Sequence, residues 1–262
     1  MILKDKVAVI YGAGGAIGGA VACAFAREGA KLFLVGRRLG PVDAVAGDIL
    51  TGGGFAEAAE VDALDEQALD RHLDSVTGKA GRVDISFNAI GLPVADFVGT
   101  PLIELEVEKF ALPIMAYTRS YFLTARLAAR RMVAQKSGVI MTVSALMARA
   151  GAPAVGGYSA AVAAKEAITR SLSLELAPLG IRAVCLRPHA IPETQTMRDV
   201  FEGKAAKMMS WEQWQAALAS RTHTQRLMRL EEVADVAAFM ASDRASGMTG
   251  TTVNLTMGNL DD

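Results

Sequence analysis

Val7-Ala8-Val9-Ile10-Tyr11-Gly12-Ala13-Gly14-Gly15-Ala16-Ile17-Gly18 is the stretch whose reading decides the fold. Its first five residues are apolar or aromatic and run directly into a glycine cluster, the pattern of a buried parallel strand. Gly12 lacks a Cβ and can turn the chain sharply at the strand end. Gly14, Gly15 and Gly18 allow backbone to approach a ligand, or a helix to sit close to the strand. Gly19 to Glu28 (GAVACAFARE) then reads as an alanine-rich helix. A helix N-terminus presents free N–H groups and a partial positive charge, a natural seat for a pyrophosphate. A second strand, Lys31 to Val35, follows, which supplies the strand–glycine–helix–strand context that a dinucleotide site requires.

Other readings of this stretch are weaker. Residues 7 to 26 carry no charge, and the run is long enough to span a bilayer. With Lys4 and Lys6 ahead of it and Ala22-Cys23-Ala24 within it, it also mimics a secretory signal. Five glycines inside the run, and its place at the head of a strand–helix alternation, oppose both readings. The net charge is −1 with both signs interspersed, which points away from nucleic acid and anionic membranes as partners. Cys23 and Cys185 lie in apolar segments and read as buried free thiols, in keeping with a cytoplasmic protein. His72, His189 and His223 are scattered without metal-ligand spacing, so no metal is expected.

Outward from the first unit, strands and helices alternate. Strands are expected at 31–35, 55–61, 83–88, 138–144, 181–186 and 251–255. Helices are expected at 41–50, 66–77, 104–135, 159–177 and 231–240, with 189–229 irregular. Repeated strand–helix–strand units imply one doubly wound α/β domain over 1–262, a mostly parallel seven-stranded sheet with helices on both faces. Such sheets bind ligands at the carboxyl ends of their strands. After the second strand come Gly36, Arg37 and Arg38. An acid in that place takes the ribose hydroxyls of NAD; here arginines, whose planar forks match a phosphate, favour NADP(H), with NAD(H) as the alternative. Asp62 is placed either to meet an adenine or to help cap the next helix, where Asp65 is better placed.

Taken together, GAGGAIG (12–18), DALD (62–65), DISFNAIG (84–91), GVIMTVSA (138–145), YSAAVAAK (158–165), LELAPLGIRAVCLRP (174–188) and the tail ASDRASGMTGTTVNLTMG (241–258) resemble the short-chain dehydrogenase/reductase family over nearly the whole chain. The resemblance implies a Rossmann-like fold and an oxidoreductase. It also implies a cofactor held by Gly12, Gly14, Gly15, Ala16, Ile17, Arg37, Arg38, Asp62, Ala63, Asn88, Ala89, Lys165 and Thr194. In the family, paired long helices make dimers or tetramers. The catalytic motifs depart from its usual pattern. The family's second glycine falls on Ala16, and Asn-Asn-Ala-Gly becomes Asn88-Ala89-Ile90-Gly91. The catalytic asparagine falls on Tyr117, the serine on Ala145 with Ser144 one place earlier, and the lysine of Tyr-x-x-x-Lys on Val162. Tyr158 alone keeps its place.

In the family the tyrosine gives a proton to the substrate carbonyl, and the lysine lowers the phenol pKa and holds the nicotinamide ribose. A free phenol titrates near 10, and a nearby ammonium favours the phenolate. Lys165 is the candidate replacement. Seven residues turn a helix through about 700°, which returns Lys165 to within about 20° of the Tyr158 face, about 10.5 Å further on. Helical side chains lean toward the N-terminus, so Lys165 leans back toward Tyr158. Enoyl-thioester reductases of the superfamily use this same Tyr-x6-Lys spacing. The expected catalytic set is therefore Tyr158, Lys165 and Ser144. Residues 189–229, rich in Met, Phe and Trp, read as a lid over an apolar carbonyl or enoyl substrate, or equally as a helix pair that docks an apolar stripe on the core. The competing functions are a ketone or aldehyde reductase, an enoyl reductase, and a cofactor-binding protein with little turnover.

Overall fold

The computed structural model describes residues 1–94 and 97–261. Seven strands, β1 (Val7–Tyr11), β2 (Lys31–Gly36), β3 (Phe55–Glu60), β4 (Ile85–Asn88), β5 (Gly138–Val143), β6 (Ile181–Pro188) and β7 (Thr251–Leu255), form one sheet in the order β3-β2-β1-β4-β5-β6-β7. Every pairing is parallel. The helices are α1 (Ala16–Arg27), α2 (Leu39–Thr51), α3 (Glu66–Ala80), α4 (Val107–Gln135), α5 (Tyr158–Leu176), α6 (Gln195–Lys204), α7 (Trp211–Ala219) and α8 (Leu230–Ala241). None of the described helices is long and apolar enough to cross a membrane.

The alternation of β1 assigns its side chains to two cores. Ala8 and Ile10 join Phe25 of α1, Ile49 of α2 and Val233 of α8 on one face. Val7, Val9 and Tyr11 join Leu69 and Leu73 of α3 and Leu127 of α4 on the other. A strand buried on both faces is apolar throughout, which is why VAVIY reads as one unbroken run. At its end Gly12 has φ +78°, and a Cβ there would lie 2.7 Å from the carbonyl oxygen of Ala89. Gly18 packs α1 so tightly that a Cβ would collide with the Gly12 carbonyl. These two glycines bring the helix N-terminus onto the β1–β4 edge.

Several boundaries shift by a few residues from the sequence expectation, and one region differs in kind. Helix α1 begins three residues earlier than Gly19, because Gly15 is already its extended N-cap. The region 189–229 is not irregular: Thr194 and Ser210 cap α6 and α7, and Gln213 completes a capping box with Ser210.

Candidate active site

At the phosphate end, Gly14, Gly15 and Ala16 are exposed and Ile17 is half-buried. No side chain caps the α1 N-terminus and its first turn carries no acid. Open N–H groups there fit an anionic pyrophosphate. Arg37 and Arg38 stand exposed just beyond β2. Among the described residues neither has a carboxylate partner. Gly36 is crowded: a Cβ there would lie 2.7 Å from Val42 Cγ2. An acid at that position would force Val42 to move. Glu60, opposite Gly36 in the β2–β3 register, accepts from the Leu39 amide at 3.2 Å.

Asp62 Oδ1 accepts from the Leu64 amide at 2.9 Å, and Asp65 caps α3 through Ala68 N at 3.0 Å. Ala63 is buried beside them. Asn88 donates from Nδ2 to Thr124 Oγ1 at 3.1 Å, and its carbonyl accepts from Thr142 Oγ1 at 3.1 Å. Its Oδ1 is buried without a partner, a polar atom left free where the fold binds ligands. Ala89, next in line, donates its amide to the Tyr11 carbonyl at 2.9 Å. An uncapped helix terminus, two unpaired arginines and an orphaned amide oxygen together fit a phosphate-bearing nucleotide cofactor.

At the reaction end, Tyr158 opens α5. Its ring stacks on Phe97 at 6.2 Å and meets Tyr117 of α4 edge-on at 6.0 Å. The residue is partly exposed, yet desolvation among the surrounding rings, reinforced by Tyr117, pushes the phenol above its ordinary range. The ammonium effect expected from the sequence does not dominate here, because the phenol sits among rings. Val162, one turn on, is buried. Lys165 is 2% exposed. Its Nζ lies 5.5 Å from the centre of the Tyr117 ring and 6.0 Å from that of Tyr121. Burial pulls Lys165 down to about 8, with the nearby Cys185 thiol acting in the opposite sense.

Lys165 therefore carries a cost in stability. A lysine whose folded pKa is below its unfolded value holds fewer protons when folded. The penalty is full below about 8 and vanishes as pH rises through 10.5. Lys165→Met is expected to stabilise the protein at pH 7 by roughly 3 kcal/mol, the 2.5-unit gap between 10.5 and about 8 converted at about 1.36 kcal/mol per unit. Urea unfolding at pH 7 and pH 10 checks this; an advantage that does not shrink with pH contradicts it.

Ser144 is buried, with its hydroxyl engaged by its neighbours. Its Oγ donates to Glu166 Oε1 at 2.8 Å, and Glu166 in turn receives Arg187 Nε and Nη2 at 2.8 Å each. This buried pair joins α5 to β6. Thr194 acts as a cap: it accepts from Met197 N at 3.3 Å and donates to the Ile191 carbonyl at 2.8 Å. Beyond it, Phe201, Trp211 and Trp214 pack on one another at 5.3–5.6 Å. Lys204 Nζ donates to the Pro153 carbonyl at 2.6 Å, tying α6 to the turn that precedes Tyr158.

The structure thus brings Tyr158, Tyr117 and Lys165 together, while the Ser144 hydroxyl bonds Glu166 and the Thr194 hydroxyl caps α6. Phe97, Tyr121 and the Glu166–Arg187 pair were not singled out from sequence. For Arg187 a signal existed, a charge within the apolar run AVCLRP. For Phe97 there was none.

Comparison with known proteins accords with this geometry. The family profile described as "Enoyl-(Acyl carrier protein) reductase" matches residues 12–259. An uncharacterized oxidoreductase of Bacillus subtilis is 32% identical over 248 residues, covering 95% of this chain and 88% of the relative. Cis-4-hydroxycyclohexanecarboxylate dehydrogenase of Sinomonas cyclohexanicum is 30% identical over 246 residues, covering 94% and 93%. Among solved structures, 7α-hydroxysteroid dehydrogenase complexed with NADH and 7-oxo glycochenodeoxycholic acid superposes with a TM-score of 0.86 at 26% identity, covering 98% and 94%. With a glycine-rich turn into α1, a tyrosine opening α5 and a profile match across nearly the whole sheet, the chain belongs to the short-chain dehydrogenase/reductase family.

Proposed function

We propose that this chain is an NADP(H)-dependent reductase of a carbonyl in an apolar substrate, with Tyr158 as the proton donor. The carrying observation is the meeting of a phenol, Tyr158, with a buried ammonium that no carboxylate among the described residues neutralises, Lys165, around the ring of Tyr117. When bound, the nicotinamide supplies hydride to the substrate. The chain's own work is to hold the phosphates at the α1 N-terminus and the extra phosphate at Arg37 and Arg38. Phe97 and Tyr117 pack on the Tyr158 ring, and its hydroxyl stays protonated until the carbonyl oxygen takes its proton. Lys165 supplies positive charge beside the ribose. In this reading the site departs from the family pattern, with Val162 in the usual lysine's place. Residues 189–229 are the lid of a single domain in the cytoplasm. Exposed apolar residues on α4 and α5, among them Met115, Phe122, Val133 and Leu174, support packing of these helices in a dimer or tetramer.

Cofactor choice tests the phosphate assignment. NADPH is expected to bind more tightly than NADH, and Arg37→Ala to erase most of the difference. One charge-assisted contact is worth about 1.5–3 kcal/mol, or roughly tenfold or more in affinity. Equal affinity of the unmutated protein for both nucleotides, by fluorescence titration, refutes it. Glu60 is the group that would then serve an NAD ribose.

One observation favours a second reading, an enoyl-thioester reductase. The Ser144 hydroxyl is committed to Glu166, so the proton donor is left to work with Lys165 alone. NADPH oxidation measured against ketones, aldehydes and a short enoyl-thioester separates the two readings. Tight NADPH binding without turnover on any of them leaves a cofactor-binding protein.

A further inference from the structure

We infer that Tyr117 is a positioning residue whose ring couples Lys165 to Tyr158, seating the ammonium against its π-system while packing edge-on against the Tyr158 ring. This inference rests on the reading of Tyr158 and Lys165 given above. Lys165 lies nearly two turns beyond Tyr158 on α5, about 10.5 Å along the axis, and the two side chains share no hydrogen bond among the described residues. Tyr117 contacts both. Its own place is fixed at the far end, where its hydroxyl accepts from the Leu92 amide at 3.1 Å, on the chain leaving β4.

The seat has a second wall. Tyr121 is one turn beyond Tyr117 on α4, so the two rings point to the same side of the helix. Tyr121 offers its ring at 6.0 Å and is itself held by Thr169 at 2.9 Å. Among the described residues, the other titratable groups around Lys165 are neutral or already paired. The Cys185 thiol of β6 is pushed up to about 11 by burial. Burial also raises the phenols of Tyr117 and Tyr121. Glu166, the adjacent residue on α5, is held by Arg187 and Ser144. Ring faces therefore stand where a carboxylate would otherwise balance the charge, and an ammonium over a ring is attracted by its quadrupole. If Tyr117 moves, both the charge and the proton donor move with it.

The test uses the full-length, cofactor-free protein labelled with 13Cε-lysine, the Lys165 resonance being assigned by its loss in Lys165→Met. Two replacements at position 117 keep the ring shape. Tyr117→Phe keeps the π-face and is expected to leave the ammonium–amine equilibrium of Lys165 within about twofold. A 3,4,5-trifluorophenylalanine in place of Tyr117 has its negative face withdrawn, and is expected to shift that equilibrium toward the amine by about fivefold to tenfold. Identical titration with the two rings overturns the inference, since a purely structural filler would not sense ring electronics. A shift as large in Tyr117→Phe as in the fluorinated protein also overturns it, by assigning the effect to the hydroxyl. Should the trifluoro protein melt early, a monofluoro ring is expected to give a smaller shift of the same sign, and no shift overturns the inference. NADPH titration of the unmutated protein is read separately. Its failure removes the reductase reading and leaves the ring–ammonium result standing.

Discussion

Tyr158→Phe is expected to lower turnover by about 10²- to 10⁴-fold while NADPH binds as before. The substitution removes one oxygen and keeps the ring, so the stacking on Phe97 and the edge contact with Tyr117 survive. What is lost is the proton donor. The sign of the phenol's shift also sets direction. Because burial raises its pKa, Tyr158 is a proton donor throughout the neutral range and a poor base. Reduction, in which the substrate oxygen takes a proton, is therefore expected to outpace the reverse oxidation at pH 7. The oxidation is expected to accelerate as pH rises. Lys165→Ala is the contrasting variant: it removes a cation beside the ribose and is expected to weaken NADPH binding as well as turnover. The check is steady-state kinetics in both directions with fluorescence titration of NADPH. If Tyr158→Phe turns over within tenfold of the unmutated protein, Tyr158 has no part in the chemistry.

The fold was legible because its decisive signals are local. VAVIY has no polar residue to place at a surface, and Gly12 takes a positive φ where the chain must turn. Every strand expected from the sequence is present, with boundaries shifted by a few residues at most. The site was legible only in part. The 20° argument put Lys165 on the Tyr158 side of α5, but no spacing rule says that the amine would end over two rings from α4. Those contacts depend on how α4 and α5 pack. The bond from the Ser144 hydroxyl to Glu166 was not legible either, because it depends on how α5 lies beside the end of β5. The bounds of α6 and α7 were less legible, although Ser210-x-x-Gln213 is a readable capping box. Their aromatic residues pack on each other, Phe201 with Trp211 and Trp214, a contact between helices that no spacing rule predicts.

The buried Glu166–Arg187 pair supports the other large prediction. Both side chains are at most 5% exposed, and the guanidinium meets the carboxylate through two 2.8 Å hydrogen bonds. Removing one partner of such a pair leaves an uncompensated buried charge, which costs about 3–5 kcal/mol. Arg187→Met is therefore expected to destabilise the protein by that amount at pH 7, measured by urea unfolding. Removing both charges is the decisive comparison. Glu166→Met with Arg187→Met fills the same space with flexible apolar side chains and removes both charges of this pair. Ser144 keeps its longer contact with the Leu186 carbonyl at 3.4 Å. The double variant is expected to recover most of the lost stability, since apolar replacements of buried pairs are often neutral or stabilising. A double variant as unstable as the sum of the two singles would show that the sites do not couple. Recovered stability with NADPH affinity also intact would make the pair a fastener between α5 and β6. Recovered stability with weakened NADPH binding would instead show that the pair sets the height of Tyr158 and Lys165 against the sheet, because α5 carries Glu166 in the same turn as Lys165.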